Sequence, residues 1–213
     1  MSTDTSPATV PAVDDDVVEI HRHTVDKLLI AVGAVLAVVL FAAGGLLMWG
    51  ATFANDYVHD ELASQNVFFP DAAALEEEGR SDLVEHADQQ VTTGSEAQAY
   101  ASYIAGHLEG IADGKTYSEI DDRGAAAAVV AAESSGASAA EIAELQATAD
   151  QLKGQRDTLF KGETLRGLLL TSYAWSTIGM IAMIAAWVAL AAGVVMVVLV
   201  VLGVLHLRRQ RLA

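Results

Sequence analysis

Residues 167–205 contain no charged side chain in 39 consecutive positions. Roughly 20 apolar helical residues cross a bilayer core about 30 Å thick, so this run can span lipid and project beyond it. A second uncharged run, residues 28–54, is 27 positions long. Together they point to an all-α membrane protein in which two transmembrane helices flank a helical extracytoplasmic domain. Five parts are expected: a disordered cytoplasmic tail (1–27), a first transmembrane helix (28–54), an acidic helical extracytoplasmic domain (55–166), a second transmembrane helix with its outer extension (167–207) and a basic cytoplasmic tail (208–213).

Hydrophobic residues make up 53% of the 213-residue chain, an excess that the two runs account for. Cysteine is absent, which excludes disulfides, thiolate metal sites and thiol nucleophiles. The net charge of −16 is uneven: residues 1–27 carry six acids and two bases, 55–166 carry 22 acids and seven bases, and three arginines follow residue 205. So acidic a middle segment is unsuited to nucleic acid, whose phosphates need clustered Lys and Arg. Anionic lipid head groups would repel it as well.

The first 17 residues are rich in Ser, Thr, Pro and Ala around Asp14, Asp15 and Asp16, too polar to offset the entropy of ordering. His21, Arg22, His23 and Lys27 follow as interfacial anchors, with pH sensing by the paired histidines as the other use of such a group. The apolar stretch after them is far longer than the 7 to 15 residues or so of a signal-peptide core, which favours retention over cleavage. Trp49, Phe53 and Tyr57 suit an aromatic belt. Bases close to the spans set orientation. Arg22 and Lys27 precede the first span, and Arg208, Arg209 and Arg211 outnumber Lys161 and Arg166 around the second. Both termini are therefore expected in the cytoplasm and the acidic segment outside.

That segment reads as helical throughout. The first helix is expected to run past lipid to about Asn66 and to stop before Phe68, Phe69 and Pro70, because a residue preceding proline is driven out of the helical region. Asp71 is a candidate cap for a short helix broken at Gly79, with another piece over 82–89. Ser95 is expected to cap a helix reaching Ala112, on which Tyr100, Ile104, Leu108 and Ile111 recur at helical spacing. Thr116 and Glu119 form a capping-box pattern expected to open an alanine-rich helix, and Ser138 with Glu141 forms another. From there Ile142, Leu145, Ala149, Leu152, Arg156 and Leu159 alternate in steps of three and four, a stripe suited to packing on the Tyr100 helix. Gly162 is expected to punctuate it. Neither a strand nor an internal repeat is expected.

In the second span Tyr173 and Trp175 mark the outer interface, while Trp187 lies about 18 Å further along a helix, near mid-membrane. Small residues recur at fourfold spacing: Gly33 with Ala37, Ala182 with Ala186, Ala189 with Gly193. Such pairs allow close helix approach. Polar span residues are few: Thr171, Ser172, Ser176 and Thr177 cluster at the outer end, so one copy offers no proton relay or ion path.

Two kinds of constellation are candidates for chemistry, acid clusters and histidines. Glu76, Glu77 and Glu78, then Asp121 and Asp122, and His59, Asp60 and Glu61 form acid clusters, but consecutive acids fan out over different helix faces and read as solvated surface rather than a calcium site. His59, His86 and His107 are isolated in sequence, without a His-x-x-x-His pair, and His107 beside Leu108 reads as a partly buried packing residue. No phosphate loop, nucleophile elbow or metalloprotease motif is present. No catalytic, cofactor-binding or metal-ligating residue and no cofactor is therefore assigned. The stretch 210–213 is too short for an output module, so a signal would pass to a partner within the membrane.

The run from Phe53 through Asn55, Asp56, Tyr57 and His59 to Leu62, the Phe68-Phe69-Pro70 after it, Thr92-Thr93-Gly94, and residues 158–170 around Phe160-Lys161-Gly162-Glu163 resemble a family of uncharacterised two-span membrane proteins from actinobacteria. The alanine and valine excess is in keeping with a high-GC source. The resemblance covers the spans and the outer domain but not the N-terminal tail. Some members carry a ring-opening dioxygenase label. Non-haem iron wants two histidines and a carboxylate around the metal, an arrangement that nothing in this sequence indicates. The expected function is non-enzymatic, an accessory or scaffolding subunit whose spans or acidic outer domain engage a larger membrane assembly. Its partners would be the lipid bilayer and other membrane subunits or further copies of itself. The alternative is an extracytoplasmic sensing module for a small solute or cation, with a pocket between the Tyr100 and Ile142 helices.

Overall fold

Helix α1 runs from Arg22–Ser64 and α5 from Ala139–Gln210, and both are far longer than the uncharged runs that seed them. The structure, a computed structural model, describes residues 22–210. Between the two long helices come α2 (Ala72–Glu77), a 3-10 turn over Ser81–His86, α3 (Gly94–Ile111), a second 3-10 turn over Tyr117–Glu119 and α4 (Asp122–Ser135). Among the described residues the only β pairing is an isolated bridge between Phe68 and Gln90. Residues 22–27, expected in a disordered tail, are the first turns of α1; the rest of that tail and residues 211–213 lie outside the described residues.

Both long helices are long and apolar enough to cross a membrane. Their most apolar 18-residue stretches are only 17% and 6% buried. The core helix of a water-soluble protein has the same composition but hides it. Here Leu28, Val35 and Val38 on α1, and Ile184, Val188 and Val195 on α5, stand exposed.

The chain divides into two compact units, one of residues 22–42 with 189–210 and one of Ala43–Val188. In the first, Gly33, Ala37 and Gly193 are buried amid exposed valine and leucine. A Cβ on Gly33 would lie 2.9 Å from Val200, and one on Gly203 would lie 3.0 Å from Ile30. Missing side chains thus let the two backbones come together, the close approach that small residues permit between apolar helices.

The second unit has a core of larger side chains. Val58 and Leu62 of α1, Phe69, Leu75, Leu83 and Val91 of the connecting segments, Ala97 and Ala101 of α3, and Leu169 of α5 form one buried cluster. Leu108 of α3, Ala112 just after it, Ile120 and Leu159 form a second. Leu152 and Ile111 border that second cluster, so the stripe on α5 meets α3 as its spacing implied. Gly94 opens α3 directly against α5, where a Cβ would collide with Ser176 and approach the Tyr173 Cα to 3.3 Å.

Several local expectations are corrected. Thr93, not Ser95, caps α3: its hydroxyl accepts from the Glu96 N–H, and the Glu96 carboxylate accepts from the Thr93 N–H at 2.9 Å. The Thr116 and Glu119 capping box is present but closes only the 3-10 turn. The alanine-rich helix starts instead at Asp121, whose carboxylate accepts from the Gly124 N–H at 2.8 Å. Gly162 does not punctuate α5, because it faces Leu108, which a Cβ there would overlap. A helix tolerates the roughly 1 kcal/mol cost of glycine where a neighbouring side chain needs the space. The Phe68-Phe69-Pro70 segment does more than end a helix. Phe69 N–H donates to Gln89 at 3.0 Å and Val91 N–H to Val67 at 2.9 Å, closing residues 67–91 into a loop around Leu75 and Leu83.

Candidate functional site

The second unit concentrates its polar chemistry around two arginines. Arg156 is the single charged member of the apolar stripe on α5. Its guanidinium pairs with Asp122, donates to the Tyr117 hydroxyl at 3.1 Å and lies 4.6 Å from the centre of the Tyr117 ring. That ring in turn stands 5.8 Å from Phe160. The guanidinium holds the Asp122 carboxyl below the usual carboxylate range, chiefly through the direct hydrogen bond. Arg156 therefore fastens the 117–122 segment to α5, and Asp122 is an ion-pair partner rather than solvated surface.

Arg80 plays the same part between the 3-10 turn and α3. It grips Asp82 with two hydrogen bonds of 3.0 and 2.8 Å, and reaches the Ser102 carbonyl and hydroxyl at 2.8 and 2.7 Å. The Arg80 hydrogen bond lowers the Asp82 carboxyl from its ordinary value. A fork of fixed donors suits such simultaneous contacts.

Three open grooves border α3. One, of about 440 Å³, is lined by Glu78, Arg80, Tyr103, Gly106, His107, Gly110 and Ile111. In it the Tyr103 hydroxyl donates to Glu78 at 3.4 Å, and burial, followed by that bond, raises the Tyr103 phenol above its ordinary value. The other two lie between α3 and α5: about 310 Å³ beside Ile104, His107, Thr158 and Lys161, and about 520 Å³ beside Glu109, Lys115, Tyr117, Glu163 and Arg166. Leu108 lines both. Its insertion against Gly162 divides the space between the helices into two grooves.

The three histidines stay in separate surroundings. His59 is exposed on α1. His86 is half-buried with its ring stacked 5.0 Å from Phe69, so it is the packing histidine. His107 was expected in that role, but it is exposed, its ring 6.4 Å from Tyr103. Glu76, Glu77 and Glu78 are all exposed, as are Asp60 and Glu61. Asp121 is spent on capping α4. Among the described residues no three His, Asp or Glu side chains form a group able to hold a metal ion.

Sequence reasoning missed the two arginine hubs. Arg156 carried a signal, a lone cation on an apolar stripe, which asks for a partner elsewhere in the fold. Arg80 carried none, since Ser102 is 22 residues away and exposed. No protein-family model matches this chain, no curated protein is detectably similar to it, and no solved structure resembles it.

Proposed function

We propose that the chain is a two-span integral protein of the cell membrane, with both termini cytoplasmic and residues 55–166 extracytoplasmic, and that it serves as a non-enzymatic accessory or scaffolding subunit of a larger membrane assembly. The observation that carries the membrane placement is the apolar surface left bare on α1 and α5. Water would not tolerate so much contiguous exposed hydrocarbon on a monomer. The basic residues Lys27, Arg208 and Arg209 at one end of the pair set the orientation. In favour of a scaffolding role, Arg80, Glu96, Asp122 and Arg156 are engaged in holding segments together. Membership of the two-span actinobacterial family that the sequence resembles is part of this proposal.

Absence of cysteine makes the topology test clean. Glu77→Cys should react with a membrane-impermeant maleimide in intact cells and Arg209→Cys only after lysis; equal reactivity of both would end the two-span reading. Extraction in a mild detergent followed by mass spectrometry tests the second half, with a partner protein expected in stoichiometric amount. Repeated recovery as a lone monomer would remove the accessory role. The grooves beside α3 favour the alternative, a sensing module for a small solute, which predicts a ligand-dependent thermal shift that Tyr103→Ala abolishes.

A further inference from the structure

Within the unit of residues 22–42 and 189–210, α1 and α5 leave two grooves that share Ile30 and Leu207. On one stripe of α1 lie Lys27, Ala31 and Ala34, and on the neighbouring stripe lie Asp26, Leu29 and Gly33, as helical spacing requires. The first groove, of about 330 Å³, has Lys27 and Arg208 at its charged end and Ile30, Ala31, Ala34 and Val204 along its floor. The second, of about 310 Å³, has Asp26 and His206 at the corresponding end. Room exists in the first because alanines stand at 31 and 34 amid exposed Leu28, Val32 and Val35.

The geometry points to an anionic phospholipid bound in the first groove, its phosphate held between Lys27 of α1 and Arg208 of α5 and one acyl chain lying over Ala31 and Ala34. This rests on the two-span membrane reading, which places those cations at the cytoplasmic head-group level. Two cations from different helices flank an apolar trough, and among the described residues no carboxylate lines it. A basic pocket between spans on the cytoplasmic side is the arrangement that recognises anionic head groups. A zwitterionic lipid would bring its own cation between Lys27 and Arg208. A free phosphate would leave the trough unused. The Asp26 groove has an acid where the phosphate would lie, so only one side of the helix pair is suited.

The test uses the full chain in lipid nanodiscs of phosphatidylcholine doped with phosphatidylglycerol, with bound lipid counted by native mass spectrometry after release. Retention of phosphatidylglycerol over phosphatidylcholine is expected. Each basic residue near an anionic head group is worth about five-fold in binding, so Lys27→Gln with Arg208→Gln should lose about 30-fold. Arg209→Gln, which lines neither groove, should weaken binding clearly less than the loss of either groove cation, because its charge is not held against the bound phosphate. Ala34→Phe, which keeps both cations and fills the trough, should also weaken retention. Equal losses in the Arg209 and paired variants would reduce the site to diffuse charge and overturn the proposal, as would an unaffected Ala34→Phe or full competition by inorganic phosphate. A chain that fails to enter nanodiscs sinks the membrane reading itself, whereas one that enters without preferring phosphatidylglycerol sinks only this site.

Discussion

The two units differ in what they bury. Residues 22–42 and 189–210 hide glycine and alanine and expose valine and leucine, whereas residues 55–166 of the other unit hide Phe69, Leu75, Leu83, Val91 and Leu108 and expose most of their acids. The proposed membrane placement accounts for the contrast. In water, burying a large apolar side chain contributes about 1.5–3 kcal/mol, so large residues go inside. In lipid that gain vanishes, and what remains is the dispersion energy of close approach, which small residues permit. No side-chain N or O atom without a partner is buried among the described residues, so the second unit has resolved its polar groups internally through caps and arginines.

The largest effect is expected from Leu75→Ala, since Leu75 is fully buried at the centre of the larger cluster. It should lower the unfolding free energy of the detergent-purified chain by about 2–5 kcal/mol. A loss below about 1 kcal/mol would mean that this cluster is not a water-type core. The mirror experiment enlarges a residue in the first unit. Gly33→Leu places atoms into Val200 and should cost about 1–3 kcal/mol through overpacking, while Val35→Leu on the exposed face should stay within about 0.5 kcal/mol. If both behave alike, the small-residue contact is not what joins α1 to α5.

A smaller effect separates the units by pH. Burial pushes the Glu96 carboxyl up, but the N–H groups and hydroxyls of Thr92 and Thr93 outweigh it and hold the group below its ordinary value. With the folded value depressed, the stability it contributes is complete above the ordinary glutamate value of about 4.3 and is lost as pH falls through the folded value. Glu96→Gln should flatten that acid limb, and Thr93→Ala should cost about 1 kcal/mol at neutral pH. Neither variant should alter helix pairing in the first unit. The smallest effect is expected from Arg156→Gln. It should lower the melting temperature slightly and make it less sensitive to added salt, because the Asp122 pair it removes lies near the surface. An unchanged salt dependence would show that Arg156 acts through Tyr117 packing alone.

Much of the local structure was legible because its causes are local. The Asp71 cap, the break at Gly79, the Leu152 and Leu159 stripe and the small residues Gly33, Ala37, Ala186 and Gly193 all follow from spacing. The errors share one cause. Gly162 looks like a stop only until Leu108 occupies the space above it, and Ser95 looks like a cap until Thr93 and Glu96 bind each other. The bridge between Phe68 and Gln90 joins residues 22 positions apart that show no strand pattern.

What the sequence determined alone is therefore the hydropathy of its parts and the secondary structure: two helices long and apolar enough to cross a membrane, separated by acidic helical segments, because hydropathy and helix periodicity are properties of neighbours along the chain. Tertiary structure alone decided which polar groups are structural and where the grooves open. Arg80, Arg156 and Leu108 meet partners 22, 34 and 54 residues away, and only folding brings such groups within hydrogen-bonding or van der Waals range.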